Sequence, residues 1–264
     1  MTKPASVSFI GAGNLAWHLA PALDNAGYVV KEVYSRDTRN AESLVERLYE
    51  AEVKTDLDFS SSSSSVFVIA VPDDAIGEIA QEIALPGDAI LVHTSGSQGV
   101  SVLGYAATPN VGVFYPLQTF TMNRKVEFNS IPIFIESETP AGEKILMAMA
   151  KSVSKSVFKI TQEERRALHV AAVFASNFTN HMLFIAQEIM KENSLTFEWL
   201  KPLISEMIKK SLSIGPENAQ TGPAKRGDLE TLDRHMDFLK NDEAVAELYK
   251  VISQDIVDRY TREL

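Results

Sequence analysis

The 264-residue chain contains no cysteine. That absence excludes disulfides, thiolate-bound zinc, iron–sulfur clusters and thiol nucleophiles. Long apolar runs are also missing. The most apolar later segment, "ALHVAAVFASNF", is interrupted by His169 and Asn177 and falls short of the ~20 apolar residues that a bilayer crossing needs. At the amino terminus, Lys3 and Pro4 precede only a short apolar run and then glycines, which is not the pattern of a secretory leader. A cytoplasmic protein with no membrane partner is expected. Basic charge is scarce: 25 Lys and Arg stand against 35 Asp and Glu, for a formal net charge of -10. With no Lys/Arg-rich stretch to offset that balance, no nucleic-acid partner is expected.

What the chain does have is enough apolar residues, 45%, to bury one large or two modest domains. The first half alternates β-rich runs with helical stretches. The runs are "SVSFIGAG", "VVKEVYSR", "SVFVIAVPD", "DAILVHTSGS", "VGVFYPLQ" and "IPIFIES". Strands alternating with helices imply right-handed crossovers, so the expected fold class is α/β: a doubly wound, mainly parallel sheet followed by an all-α domain. The hexaserine run, Ser60 to Ser65, reads as a solvated connection whose exact sequence matters little. The second half carries almost no strand signal. Thr139 followed by Pro140 predicts a helix start, and Thr161 with Glu164 predicts a capping box. The helix opened there is expected to run from about Gln162 to Asn193. The domains are expected at 1–158 and 159–264.

Where the first strand turns into the first helix, Gly11, Gly13 and Ala16 form G-x-G-x-x-A. The first glycine permits a tight turn, the second removes a side chain where a pyrophosphate approaches, and the small third residue lets helix pack on strand. The helix start, including Asn14 and Leu15, offers free N–H groups and a dipole that favours an anion. At the end of the second strand, an acidic residue would suit the ribose hydroxyls of NAD, but Ser35 and Arg36 stand there. A guanidinium pairs with a 2'-phosphate, so NADP is the expected cofactor. The alternative is that Asp37 takes the ribose while Arg36 and Arg39 are surface charges. The same pair disfavours a SAM methyltransferase.

The combination "GAGNLA", "SR", "AVPDDAI", "HTSGS", "YPLQTF" and "TGPAKRGD" resembles the Rossmann-like NADP oxidoreductase family with an all-helical C-terminal domain of unknown function. More distantly it is similar to pyrroline-5-carboxylate reductases and β-hydroxyacid dehydrogenases. The resemblance implies a homodimer, with the active site in the cleft between the Rossmann domain and the helices. It places Val71 and Pro72 beside the cofactor, while Asp73 or Asp74 also reads as a helix N-cap. In "HTSGS", the hydroxyls and amides of Ser95, Gly96 and Ser97 are candidates to hold a substrate carboxylate. Tyr115 stands where these relatives often have His, so a general acid there is weakened, although a phenol still donates a hydrogen bond.

At 100° per residue, His169, Val173, Asn177, Asn180 and His181 fall on neighbouring rows of the long helix. The lysine that β-hydroxyacid dehydrogenases carry four residues before Asn is Val173 here, so their lysine mechanism does not transfer. Asn177 is expected to orient substrate, with His169 or His181 donating the proton. The spacing of these histidines matches no metal motif. Arg226, in a loop stiffened by Gly and Pro, is expected to meet an anion and, in the dimer that the resemblance implies, to reach the partner subunit's cleft. The expected function is NADPH-dependent reduction of a C=O or C=N carbon in a small anionic metabolite; the alternative is a dinucleotide-binding sensor or scaffold without catalysis.

Overall fold

The computed structural model describes residues 6–260; Lys3 and Pro4 lie outside them. Eight strands form one sheet: β1 (Val7–Ile10), β2 (Val30–Tyr34), β3 (Glu52–Lys54), β4 (Val66–Ile69), β5 (Ile90–His93), β6 (Asn110–Pro116), β7 (Ile133–Ser137) and β8 (Val157–Lys159). Their spatial order is 3-2-1-4-5-6-7-8. Every neighbouring pair is parallel except β6 with β7, which is antiparallel. This is the doubly wound, mainly parallel sheet expected from the alternation of strand and helix signals.

The parallel strands are apolar on both faces because both faces are covered. In β1, Val7 and Phe9 join one core layer with Leu19 and Leu23, whereas Ile10 joins the other with Ile76 and Leu91. In β4, Val66 and Val68 point to the first layer, and Phe67 and Ile69 to the second. The helices of this region are α1 (Ala16–Asn25), α2 (Thr38–Val45), α3 (Ile76–Glu82), α4 (Pro140–Val153) and α5 (Gln162–Ala172). Thr139 caps α4, its hydroxyl accepting from the Gly142 N–H, and Pro140 occupies the first turn. Thr161 and Glu164 form both halves of a capping box on α5.

The hexaserine run is less indifferent to its sequence than its composition suggests. The Ser62 hydroxyl donates to the Glu32 carboxylate at 2.5 Å. The buried Ser64 hydroxyl lies 2.7 Å from that of Ser8, which itself lies 2.5 Å from Glu32. A carboxylate on β2 thus gathers hydroxyls from β1 and from the serine connection. Low complexity hid this network because it depends on partners 30 and 56 positions away.

The long helix is also interrupted. A π-helical turn, Val173–Phe178, separates α5 from α6 (Thr179–Glu192). Such a turn takes more residues than an α-turn, so the 100° rows drawn through Asn177 and His181 do not hold. By internal contacts the chain divides into two compact units, one ending at Ser176 and the other beginning at Asn177. The division comes later than the 158/159 junction because β8 extends the sheet beside β7 and α5 sends a buried Arg165 into the same unit. Strand β8 escaped the sequence reading: it is three residues long, and its Phe158 is exposed at the sheet edge.

The second unit is all-α: after α6 come α7 (Lys201–Ile214), α8 (Pro216–Ala219), α9 (Pro223–Arg226), α10 (Leu229–Leu239) and α11 (Glu243–Tyr260). No described helix is long and apolar enough to cross a membrane.

Candidate active site

The sheet order reverses at β1, which lies between β2 and β4, and ligands of doubly wound sheets bind beyond the carboxyl ends of strands at such a point. A cleft of about 320 Å³ lies there, lined by Gly11, Gly13, Ser35, Arg36, Val71 and Pro72 among others. Six residues singled out from three separate sequence segments therefore share one cavity. Asn14 and Leu15 do not line it; they stand at the start of α1, where the first hydrogen bond of the helix runs from the Trp17 N–H to the Gly13 carbonyl. Helix geometry leaves the N–H groups of the first turn without intrahelical partners.

The two glycines differ in kind. Gly11 has φ +111°, and a Cβ there would sit 2.3 Å from the Ala70 carbonyl oxygen. At Gly13 an added Cβ meets nothing within 4 Å. Gly11 is thus glycine for the fold, and Gly13 leaves open space of the kind an approaching diphosphate needs. Ala16 is fully buried against the sheet.

Arg36 is exposed on the cleft wall, and Asp37, which lines the same cleft, is engaged with Arg39. The Asp37 carboxylate caps α2, accepting from the Arg39 backbone N–H, and pairs with the Arg39 guanidinium at 3.0 and 2.8 Å. Its hydrogen bonds with the Arg39 side chain hold its pKa below the ordinary value. The Arg36 guanidinium has no hydrogen bond or ion pair among the described residues. Three further lining residues, Leu57, Glu78 and Glu82, went unnoticed in the sequence because none belongs to a motif.

Beyond β4, β5 and β6, a second group of side chains converges. Asp73 is not a helix cap: the short 3-10 turn Asp73–Ala75 has no side-chain cap, and α3 begins from Ala75 without one. Instead the Asp73 carboxylate accepts from the Ser97 hydroxyl at 2.5 Å, tying the turn after β4 to the turn after β5. The Ser95 hydroxyl accepts from the N–H groups of Ser97 and Gln98. Both serine hydroxyls are thus engaged within the protein, and the turn presents Gly96 to the interior. A Cβ at Gly96 would meet His169 Nδ1 at 2.4 Å and Tyr115 Cζ at 2.8 Å. Those two side chains are themselves paired, with the Tyr115 hydroxyl 3.0 Å from His169 Nδ1. Burial raises the Tyr115 pKa; the charge of Arg165 opposes that and Asp73 adds to it. The phenol therefore holds its proton at neutral pH and can donate it.

His93, at the end of β5, is fully buried. Its Nδ1 accepts from the Ser95 N–H at 3.1 Å, which leaves Nε2–H to donate to the Gly99 carbonyl at 3.3 Å. Burial, reinforced by the charge of Arg165, lowers its pKa to about 4. The unfolded imidazole titrates near 6.5. Between those values the unfolded chain binds a proton that the native state refuses, so stability falls as pH drops through the window. Thermal melts from pH 7 to 4.5 should show the wild type losing roughly 2–3 kcal/mol relative to His93→Gln. Parallel pH dependences of the two proteins would contradict this.

Sequence reasoning missed Arg165. It is fully buried, contacts Glu136 on β7 through Nε and Nη2, and donates from Nη1 to the Ser95 and Gln98 carbonyls. A signal existed, since Arg165 lies one helical row from both the Thr161 cap and His169.

The remaining candidates belong to the second unit. Asn177 lies in the π turn and is exposed, as are His181, stacked on Phe184, and Arg226, at the end of α9.

A model for a Rossmann-like domain matches residues 2–113, and one for a domain of unknown function, DUF2520, matches residues 131–256. No curated protein matches the sequence. Among solved structures, BF3122 from Bacteroides fragilis, provisionally described as an NADP oxidoreductase, is 38% identical, with a TM-score of 0.88 over 97% of this chain and 99% of that one. TM1727 from Thermotoga maritima is 23% identical, with a TM-score of 0.71 over 97% and 99% of the two chains. A reductive aminase from Aspergillus terreus, in complex with NADPH and ethyl levulinate, is 15% identical, with a TM-score of 0.70 over 98% and 94%. The last two are likenesses of fold alone. With the BF3122 match running through both halves of the molecule, the chain belongs to the family that joins a Rossmann-like domain to a DUF2520 domain.

Proposed function

We propose that this protein is an NADP(H)-dependent oxidoreductase that moves hydride to the C=O or C=N carbon of a small anionic metabolite. The observation that carries the reading is the convergence of the glycine turn, Ser35, Arg36, Val71 and Pro72 on one cleft, linked through Asp73 and Ser97 to the Tyr115–His169 pair. The description of BF3122 as an NADP oxidoreductase supports it. When bound, the dinucleotide supplies the hydride; the protein supplies position, charge and a proton. The N–H groups at the start of α1 hold the diphosphate, and Arg36 with Ser35 takes the 2'-phosphate. Tyr115 is the proton donor, because its hydroxyl lies 3.0 Å from His169 Nδ1, close enough for the imidazole to pass a proton back to it.

We further propose a homodimer. The second unit leaves Trp199, Leu203, Leu212 and Phe238 all more than half exposed, apolar surface that a second copy of the chain would cover.

NADPH oxidation followed at 340 nm against 2-oxoacids, cyclic imines and aldehydes tests the reading, and light scattering on the same preparation should give the mass of two chains. Turnover of at least one class is expected. Tight NADPH binding with no turnover on any would favour a sensor, and no binding would end the proposal.

A further inference from the structure

We propose that Arg165 is a positioning residue, whose guanidinium clamps the Ser95–Gln98 turn to β7 and thereby seats Gly96 against the Tyr115–His169 pair. What that pair is for rests on the oxidoreductase reading; the clamp itself rests on geometry alone.

An ion pair made only for stability would need Arg165 and Glu136. Those two are joined through Nε and Nη2, at 3.3 and 2.9 Å from one carboxylate oxygen. The third nitrogen, Nη1, is directed elsewhere: it donates at 3.0 Å to the Ser95 carbonyl and at 2.7 Å to that of Gln98. These carbonyls flank the turn whose middle residue, Gly96, has no room for a Cβ because the His169 ring and the Tyr115 ring are already there. Interiors are packed densely enough that a displaced backbone displaces what it touches. A turn held from both ends therefore fixes the partner rings, which sit at a centroid separation of 6.1 Å in an edge-on arrangement. The planar fork of arginine can meet a carboxylate on one side and two carbonyls on the other; the single ammonium of lysine cannot span both.

The test avoids stranding a buried charge, which would unfold the protein for unrelated reasons. Arg165→Met/Glu136→Gln removes both charges together, and Arg165→Lys keeps the cation but not the fork. The readout is the His169 Nδ1 resonance in ¹⁵N-labelled protein, assigned by its loss in His169→Gln. Tyr115→Phe supplies the reference position of the unpaired imidazole. In both Arg165 variants the resonance should move to that reference, while the NADPH dissociation constant, measured by fluorescence, stays within twofold of the wild type. With any carbonyl or imine compound the wild type reduces, kcat should fall tenfold or more. A resonance that stays at the wild-type position in either folded variant overturns the proposal and leaves Arg165 as part of the core. Should the wild type fail to bind NADPH while the resonance moves as stated, the clamp stands and the oxidoreductase reading falls.

Discussion

Gly13→Val should fold as the parent does and bind NADPH on the order of a hundredfold more weakly, about 2.8 kcal/mol. The expectation follows from the empty space around position 13, where an added Cβ meets no protein atom within 4 Å. A side chain there costs the free protein little, but it occupies the volume the diphosphate needs. Gly11→Ala should do the reverse. At φ +111° the new Cβ is strained before it meets anything, and it would then lie 2.3 Å from the Ala70 carbonyl oxygen. Strain and overlap together are expected to cost roughly 3–5 kcal/mol, a large share of a typical domain's stability. Thermal melts and fluorescence titrations of the two variants separate these effects. If Gly13→Val binds NADPH like the wild type, the cleft does not hold the diphosphate.

Arg36→Ala should weaken NADPH binding about 10- to 100-fold, the loss of charge-assisted hydrogen bonds worth roughly 1.5–3 kcal/mol, and leave NADH binding within about twofold. Arg36 carries the expectation because it lines the cleft, whereas Arg39, three residues on, pairs with Asp37 through two contacts. Asp37 in turn is committed to capping α2, so it is a poor substitute acceptor for ribose hydroxyls. Titrations with both dinucleotides at one ionic strength give the ratio directly. Equal affinities of the wild-type protein for NADPH and NADH would remove the assignment.

The parts of the molecule legible in the sequence are those set by neighbours along the chain. The caps at Thr139 and Thr161 act over three residues, and the glycine turn over six, so their chemistry is printed in order. The sheet could be read because strands buried on both faces must be apolar throughout. What could not be read acts across the chain. Arg165 reaches carbonyls 67 and 70 positions away, and in "TQEERRALHV" only its spacing of four from Thr161 and from His169 sets it apart from the exposed Arg166 beside it. Asp73 looked like a cap because aspartate before a helix usually is one, yet Ser97, 24 residues on, claims its carboxylate. The π turn was invisible because no residue type in "VFASNF" marks it.

The unequal surroundings of Gly11 and Gly13 bear on how related sequences drift. A descendant that abandoned its dinucleotide would still be compelled to keep the first glycine, since the backbone leaving the neighbouring strand allows no side chain there, whereas the second would be released to vary. Presence of the first alone is then a mark of architecture, and a substituted second is the earliest written sign of a lost ligand.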